Sequence, residues 1–209
     1  KDPLAGLRVF FWFPIRSGYA LGELTVKATP LLLIAVGLAV CFRSNVWNIG
    51  AEGQYVMGAI FAAGVALLAD KNSSGAIVLP ILMAGVVGGI VWAGLTAWLR
   101  DRFNANEILV SLMLVYVAVL VLNYLVAGPM KDPQGYNFPQ SKTFELATRI
   151  PRLFEGSRVS IGIFLAVGAV ALSWVFLFRT RAGFAQQVGG LAPAAARYAG
   201  FSSRRALWV

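Results

Sequence analysis

The sequence predicts an all-α polytopic membrane protein. Apolar residues make up 58% of the chain and charged residues only 13%, which is about half the charged share of an ordinary soluble domain. Long uncharged runs alternate with short polar segments, as expected when successive helices cross a bilayer. We expect about five membrane helices, with a broken or short helix pair around residues 43–54.

Composition narrows the possible chemistry. The chain has no His, and its one Cys, Cys41, lies in an apolar run, so neither a metal site nor a disulfide is expected. Many of the basic residues that give the chain its net charge of +9 lie in short loops beside apolar runs. That placement favours membrane topology over nucleic-acid binding. Because no nucleophile stands beside a base, we expect no catalytic residues.

The two ends of the sequence indicate a fragment. The chain begins with Lys1 and ends as a new apolar stretch opens after Arg205. We therefore interpret residues 1–209 as a single transmembrane domain belonging to a longer polytopic protein. Residues 1–27 mix aromatic residues with Pro and Gly and look too interrupted to span, so an interfacial segment is predicted there.

Two short apolar runs flank a polar segment. Helices are predicted over about 28–42 and 51–68. At ~1.5 Å per residue, the first covers roughly 22 Å of a hydrocarbon core that is about 30 Å thick. The segment at 45–54, which reads Asn-Val-Trp-Asn-Ile-Gly-Ala-Glu-Gly-Gln, can therefore lie below the membrane surface. Non-helical backbone at that depth is tolerated where it lines a protein-covered or water-filled path.

Three further apolar runs predict helices over about 76–99, 107–127 and 159–178. In the first of them, Gly85 and Gly89 begin a stripe of small residues at every fourth position, which favours close helix packing. The basic residues that follow 76–99 and 159–178 place those ends in the cytoplasm by the positive-inside rule. The polar loop at 128–158 then lies outside, and the segment at 179–205 lies inside.

The polar segment at 45–54, which we call the break, offers the first candidate site. Asn48, Glu52 and Gln54 could line a translocation path, with Trp47 stacking on a flat ligand. A local interpretation stays open: Asn48 or Gly50 caps the next helix, Glu52 complements its dipole, and Trp47 anchors the interface.

Three residues of the helix at 107–127 join the candidate path. Glu107 follows two Asn residues and first suggests a helix N-terminus. Tyr116 and Asn123 are seven residues apart and so share a face. A polar Asn in lipid surroundings needs a partner, which is either another helix or a substrate.

A short helix is predicted near the end of the chain. Pro193 suits its first turn, and Gly200 suits the position after its end. Such a cytoplasmic helix, too short to cross, can dock another protein, or it can be an interfacial amphipathic loop.

Together these motifs carry a family resemblance. The runs Asn-Ile-Gly-Ala-Glu-Gly-Gln at 48–54 and Gly-Pro-Met-Lys-Asp-Pro at 128–133 are fairly specific, and Ala-Thr-Pro-Leu-Leu-Leu at 28–33, Asn-Glu-Ile at 106–108 and the 193–200 segment occur in the right order. The chain resembles the permease subunits of ABC importers in the branched-chain amino acid, ribose and simple sugar group. Within that group it is most similar to nucleoside-type permeases that work with basic membrane lipoprotein binding proteins.

The resemblance implies a multi-pass subunit of the bacterial inner (plasma) membrane that moves a nucleoside or simple sugar. It implies three protein partners: a second permease subunit, an ATP-binding subunit, and a solute-binding protein docked on the outer loop. Asp132, Glu145 and Glu155 are candidate anchors for the last of these. The sequence lacks a phosphate-binding loop, so ATP is expected on the partner and no cofactor on this chain. The residues implied to couple to the ATPase are Pro193, Ala195, Ala196, Arg197, Tyr198 and Gly200.

Two positions depart from the family pattern. Ala192 stands where the family tends to have Asn before the proline, which weakens a helix cap. Val115 replaces an Asn that could have faced substrate. The rival to the importer is a gradient-driven secondary transporter or channel that uses Glu52 and Glu107 as proton or cation sites.

Overall fold

A computed structural model describes residues 2–70, 72–136, 138–154, 156–202 and 207–208. It contains eight α-helices within those residues: α1 (Pro3–Trp12), α2 (Gly18–Arg43), α3 (Ala51–Ala66), α4 (Val78–Phe103), α5 (Glu107–Ala127), α6 (Gly162–Arg179), α7 (Arg181–Leu191) and α8 (Pro193–Tyr198). Isolated bridges pair Lys131 with Ser141 and Arg152 with Ser160. The described part of the chain contains no β-strand, so the predicted all-α class is confirmed.

Among the residues that the structure describes, four helical segments are long and apolar enough to cross a membrane: Gly18–Arg43, Gly75–Phe103, Glu107–Ala127 and Gly162–Arg179. α3 has only 16 residues, or about 24 Å of rise, and does not reach across a hydrocarbon core of about 30 Å. The expected five membrane helices are thus four long segments and one short helix.

The predicted start of the first membrane helix, at about residue 28, is wrong. α2 begins at Gly18, ten residues before the predicted bound, and runs unbroken through Pro30. Residues 18–29 contain no proline, and an isolated Gly costs a helix only about 1 kcal/mol, so the propensity signal against a helix was weak. The interfacial segment is also largely helical, since α1 and a 3₁₀ turn at Phe13–Ile15 precede α2.

The chain divides into two compact units. One comprises the described residues of 1–40 and 150–184, and the other those of 41–149 and 185–209. In the first unit, the Arg158 guanidinium lies 3.3 Å from Glu23 Oε2. The second unit contains the polar break and is built around α3.

Glycines set the packing of the second unit. A Cβ on Gly58 of α3 would lie 2.9 Å from the Gly85 carbonyl oxygen of α4, and one on Gly88 would lie 2.8 Å from the Met57 carbonyl oxygen. Gly89 faces the Gln54 carbonyl of α3. α3 and α4 therefore run antiparallel with their backbones in close approach, as small residues permit in membrane helices.

Candidate functional site

The start of α3 is fixed against α5 by one buried hydroxyl. Ser111, only 1% exposed, accepts the Ile49 backbone N–H at 3.2 Å and donates to the Ile108 carbonyl at 3.2 Å. A Cβ on Gly50 would lie 2.8 Å from Ser111 Cβ. Because Gly50 has no side chain, the backbone of the break can approach Ser111 closely, and the Ser111 hydroxyl hydrogen-bonds the break to α5.

This contact also gives the depth of the break along α5. Ser111 is four residues from the start of α5 at Glu107, which corresponds to about 6 Å of rise. The break therefore lies roughly one helical turn inside the Glu107 end of α5.

The other side of the break is a hydrogen-bonded cap on α2. Asn45 adopts a left-handed conformation with φ 55°. Its N–H donates to the Phe42 carbonyl at 3.1 Å, and the Val46 N–H donates to the Cys41 carbonyl at 3.0 Å. These two bonds form a Schellman motif, in which Asn is an accepted substitute for Gly. The chain therefore leaves α2 along a defined path.

A cavity of about 370 Å³ opens beside the break. It is bounded by the end of α2, the start of α3, the second half of α4, the start of α5 and the 207–208 segment. Its lining includes four residues of the predicted path, namely Trp47, Asn48, Gln54 and Glu107, together with Thr96 and Trp208. The structure thus brings together side chains that are far apart in the sequence.

Asn48, Trp47 and Trp208 each form a hydrogen bond through the side chain. Asn48 Oδ1 accepts the Gly50 N–H at 2.9 Å, so the oxygen of this amide serves the backbone turn. Trp47 Nε1 donates to Asn45 Oδ1 at 3.1 Å, and its ring centroid lies 5.3 Å from that of Phe42. Trp208 Nε1 donates to Asp101 Oδ2 at 3.3 Å. The partners of the two indoles, Asn45, Phe42 and Asp101, are not among the residues that line the cavity.

Glu107, the acidic residue in the cavity lining, forms an ion pair with Arg100. Glu107 Oε1 lies 2.6 Å from an Arg100 guanidinium nitrogen, and the two side chains are 17% and 32% exposed. Glu107 is also the first residue of α5 behind the Asn106 cap, whose Oδ1 accepts the Ile108 N–H at 2.9 Å. The helix N-terminus interpretation of Glu107 holds in the structure, alongside its place at the cavity.

Three predicted path residues do not line the cavity. Glu52 is exposed in the first turn of α3. It precedes Gln54 by two residues, and because successive helical residues turn by about 100°, the two side chains point to opposite sides. Tyr116, 63% exposed, and Asn123 lie on the outer surface of the unit. Val115 is buried against Gly53, so a polar residue there would face α3 rather than the cavity.

The small-residue stripe of α4 divides into two parts. Gly85 and Gly89 face α3, whereas Ala93 and Ala97, further along the same stripe, line the cavity. Small side chains therefore serve close packing at one end of α4 and leave open space at the other.

In the described part of the segment at 179–205, two helices, α7 and α8, follow α6, and the residues implied to couple to an ATPase lie in α8 and directly after it. Pro193 is the first residue of α8, and the N-cap Ala192 makes no side-chain hydrogen bond. Gly200, with φ 80°, ends the helix, and the Phe201 N–H donates to the Ala196 carbonyl at 2.9 Å. Ala196 is 2% exposed and Tyr198 is 98% exposed, while Ala195 and Arg197 are exposed as well. One face of α8 is thus buried and the rest is open.

Sequence reasoning missed Ser111, Arg100, Asp101 and Trp208. Arg100 and Glu107 flank a short turn, so their pairing was within reach of a charge-pattern argument. Ser111 gave no signal, because a Ser in an apolar helix usually bonds its own backbone. No group of three potential metal ligands occurs within the described residues.

The relatives that match most of this chain include three ABC transporter permease proteins. It is 36% identical to the glucose ABC transporter permease protein of Haloferax volcanii over 96% of this chain and 55% of that protein. It is 28% identical to the guanosine ABC transporter permease protein of Bacillus subtilis over 90% of this chain and 54% of that protein. It is 24% identical to the nucleoside ABC transporter permease protein of Lactococcus lactis over 99% and 58%, respectively.

The chain spans about half the length of the curated relatives it matches. No solved structure matches it. The sequence profile of one family, described as the permease component of the branched-chain amino acid transport system, matches residues 20–209. A match of that extent, together with four helical segments suited to crossing a membrane, shows that the chain belongs to this permease family and is a multi-pass protein of the inner (plasma) membrane.

Proposed function

We propose that this chain is part of the transmembrane permease subunit of an ABC importer and that the cavity beside the break belongs to the solute path. The observation that carries the proposal is the meeting of Trp47, Asn48, Gln54 and Glu107 around one space of about 370 Å³. Pockets for small ligands typically measure about 300–1,000 Å³ and combine apolar walls with a few polar groups.

The lining supports an uncharged, ring-bearing solute. Its polar groups include the amides of Asn48 and Gln54 and the hydroxyl of Thr96. Glu107 is paired with Arg100 and so adds little net charge. The relatives are named for glucose, guanosine and nucleosides. A nucleoside or simple sugar is therefore the proposed cargo, with hydrogen bonds to its polar groups and an indole against its ring.

The proposed partners follow from the family. An ATP-binding subunit would dock on α8, and this chain, which has no phosphate-binding loop, would bind no ATP or other cofactor and would not be an enzyme. A second permease subunit would complete the path. A solute-binding protein would dock on the outer loop. There, Asp132 Oδ1 accepts the Gln134 N–H at 3.0 Å, Glu145 is half-buried, and Glu155 lies outside the described residues.

The rival that uses Glu52 and Glu107 as ion sites is weakened by their positions. Glu52 is exposed away from the cavity, and Glu107 forms an ion pair. A carboxylate that carries a proton or cation is expected to face the path, which Glu52 does not, and to be free of a permanent counter-charge, which Glu107 is not.

The test is uptake by the full-length protein, purified with its co-eluting subunits and reconstituted in proteoliposomes. We expect entry of labelled guanosine or glucose to require ATP and to persist when ion gradients are collapsed. Uptake that needs a gradient and ignores ATP would establish the rival. Failure of an ATP-binding subunit to co-elute would contradict the proposed partnership.

A pair of variants tests the cavity itself. Gln54→Met keeps the length of the side chain but removes its amide, so we expect solute affinity to fall roughly 5-fold to 160-fold if one or two hydrogen bonds of about 1–1.5 kcal/mol are lost. Asn123→Leu removes an amide that does not line the cavity and is the matched control. Equal effects of the two variants would place the path elsewhere.

A further inference from the structure

Gly190 of α7 touches the backbone at the end of α2. A Cβ built on Gly190 would clash with the Arg43 carbonyl oxygen and lie 3.0 Å from the Ser44 carbonyl carbon and 3.1 Å from that of Arg43. These are backbone atoms, and the segment is held by the Schellman bonds around Asn45. Ser44 is buried at 9% exposure. The junction is therefore a tight contact between two ordered pieces of main chain.

The neighbouring glycine is different. Gly189 has open space where its Cβ would stand, although it lies in the same helix and one residue away. Helix propensity therefore does not explain why position 190 lacks a side chain, since both positions are helical. The close approach to Arg43 is what requires glycine there.

One side of the junction leads to α8. α7 ends at Leu191 and α8 begins at Pro193, so Ala192 alone separates them. The Ala192 N–H donates to the Val188 carbonyl at 2.9 Å, and the Ala196 N–H donates to the Ala192 carbonyl at 2.9 Å. Ala192 is thus hydrogen-bonded to both helices, and α8 is joined to the end of α7 by these bonds as well as by the chain.

The other side of the junction leads to the cavity. Ser44 is followed within two to four residues by Val46, Trp47 and Asn48, all of which line the space beside the break. The turn between Cys41 and Val46 is closed by three backbone hydrogen bonds, donated by Ser44, Asn45 and Val46. Arg43 and Ser44 are therefore connected to Trp47 and Asn48 through a hydrogen-bonded turn, not through an unconstrained loop.

We propose that the contact of Gly190 with Arg43 and Ser44 is the mechanical link through which movement of α8 reaches the cavity wall. Gly190 is thus a positioning residue for transport: it touches no solute and acts through the backbone of 43–48. This inference rests on the proposed function, in which α8 meets the ATP-binding subunit.

The experiment compares Gly190→Ala with Gly189→Ala in the full-length protein, reconstituted with its co-purified ATP-binding subunit and solute-binding protein. ATP hydrolysis and guanosine or glucose uptake are measured in the same vesicles. We expect Gly190→Ala to keep its ATPase activity but to lower the solute moved per ATP by roughly 2-fold to 30-fold, the range found for residues along coupling networks. Gly189→Ala should match wild type.

Two outcomes overturn the inference: an unchanged ratio of solute to ATP in Gly190→Ala, or an equal loss in both variants. If wild type shows no ATP-driven uptake, the proposed function fails instead. Should Gly190→Ala not assemble, Ala192→Gly provides the second variant, because it loosens the joint at an exposed position. A ratio unchanged in Ala192→Gly would then also overturn the inference.

Discussion

α2 and α3 flank the same break but are stabilised in different ways. α2 has 26 residues, and none of them is buried. α3 has 16 residues and buries Gly53, Met57, Ile60 and Ala66. The long helix satisfies its own backbone across the bilayer thickness and can present its side chains to lipid. The short helix cannot span, so its position depends on close packing against its neighbours.

The comparison indicates in which of the two helices substitutions should destabilise the protein. In lipid, apolar side chains gain little by moving from tails to protein, so van der Waals contact and hydrogen bonds hold helices together. α3 makes such contacts through glycines and through Ser111, which tethers the residue before Gly50. Equivalent changes should therefore affect α3 strongly and α2 weakly.

The largest effect is expected from Gly58→Ala. The new methyl group would lie 2.9 Å from the Gly85 carbonyl oxygen, and such overpacking costs about 1–3 kcal/mol. Gly64→Ala, in the same helix with open space around it, is the control and should gain up to about 1 kcal/mol from helix propensity. Thermal unfolding in detergent measures both. Equal melting temperatures for the two variants would refute the close contact of α3 with α4.

Ser111→Ala is expected to have the next largest effect. It leaves the Ile49 N–H without the hydroxyl acceptor it has now, and losing this partly buried hydrogen bond should cost about 0.5–1.5 kcal/mol. Thr29→Ala in α2 is the control, because the Thr29 hydroxyl bonds the Thr25 carbonyl of its own helix. Amide hydrogen exchange at residues 49–50 should accelerate in Ser111→Ala alone. Unchanged exchange would mean that the hydroxyl does not hold the break.

The smallest effect is expected from Gly37→Ala. Nothing within 4 Å would meet a Cβ there, so the variant should be as stable as wild type or gain up to about 1 kcal/mol. The variant also tests whether the Gly37 face of α2 contacts lipid or another subunit. If uptake by the assembled importer falls while the isolated subunit keeps its stability, another subunit packs on Gly37, and α2 is not simply a lipid-facing helix.

The helices were largely predictable because their signals are local. The bounds of α5 match the prediction at 107–127, since Asn106 caps its start and uncharged residues continue to Ala127. Pro193 and Gly200 marked α8 in the same way. The start of α2 was missed because Gly, Glu and Lys at 18–27 resemble a polar approach segment, whereas a helix tolerates all of them.

The all-α membrane class, the position of the break and the candidate polar residues follow from the order of residues alone, because apolar length, caps and turn residues act over a few positions. Which of these candidates share a cavity depends on how the helices pack. Gln54 faces it and Glu52 does not, owing to a rotation of about 200° over two helical residues. Ser111, Arg100 and Trp208 join the site through contacts with residues that are distant in sequence or across a turn. Those contacts depend on how α3, α4 and α5 pack, and no local pattern encodes that packing.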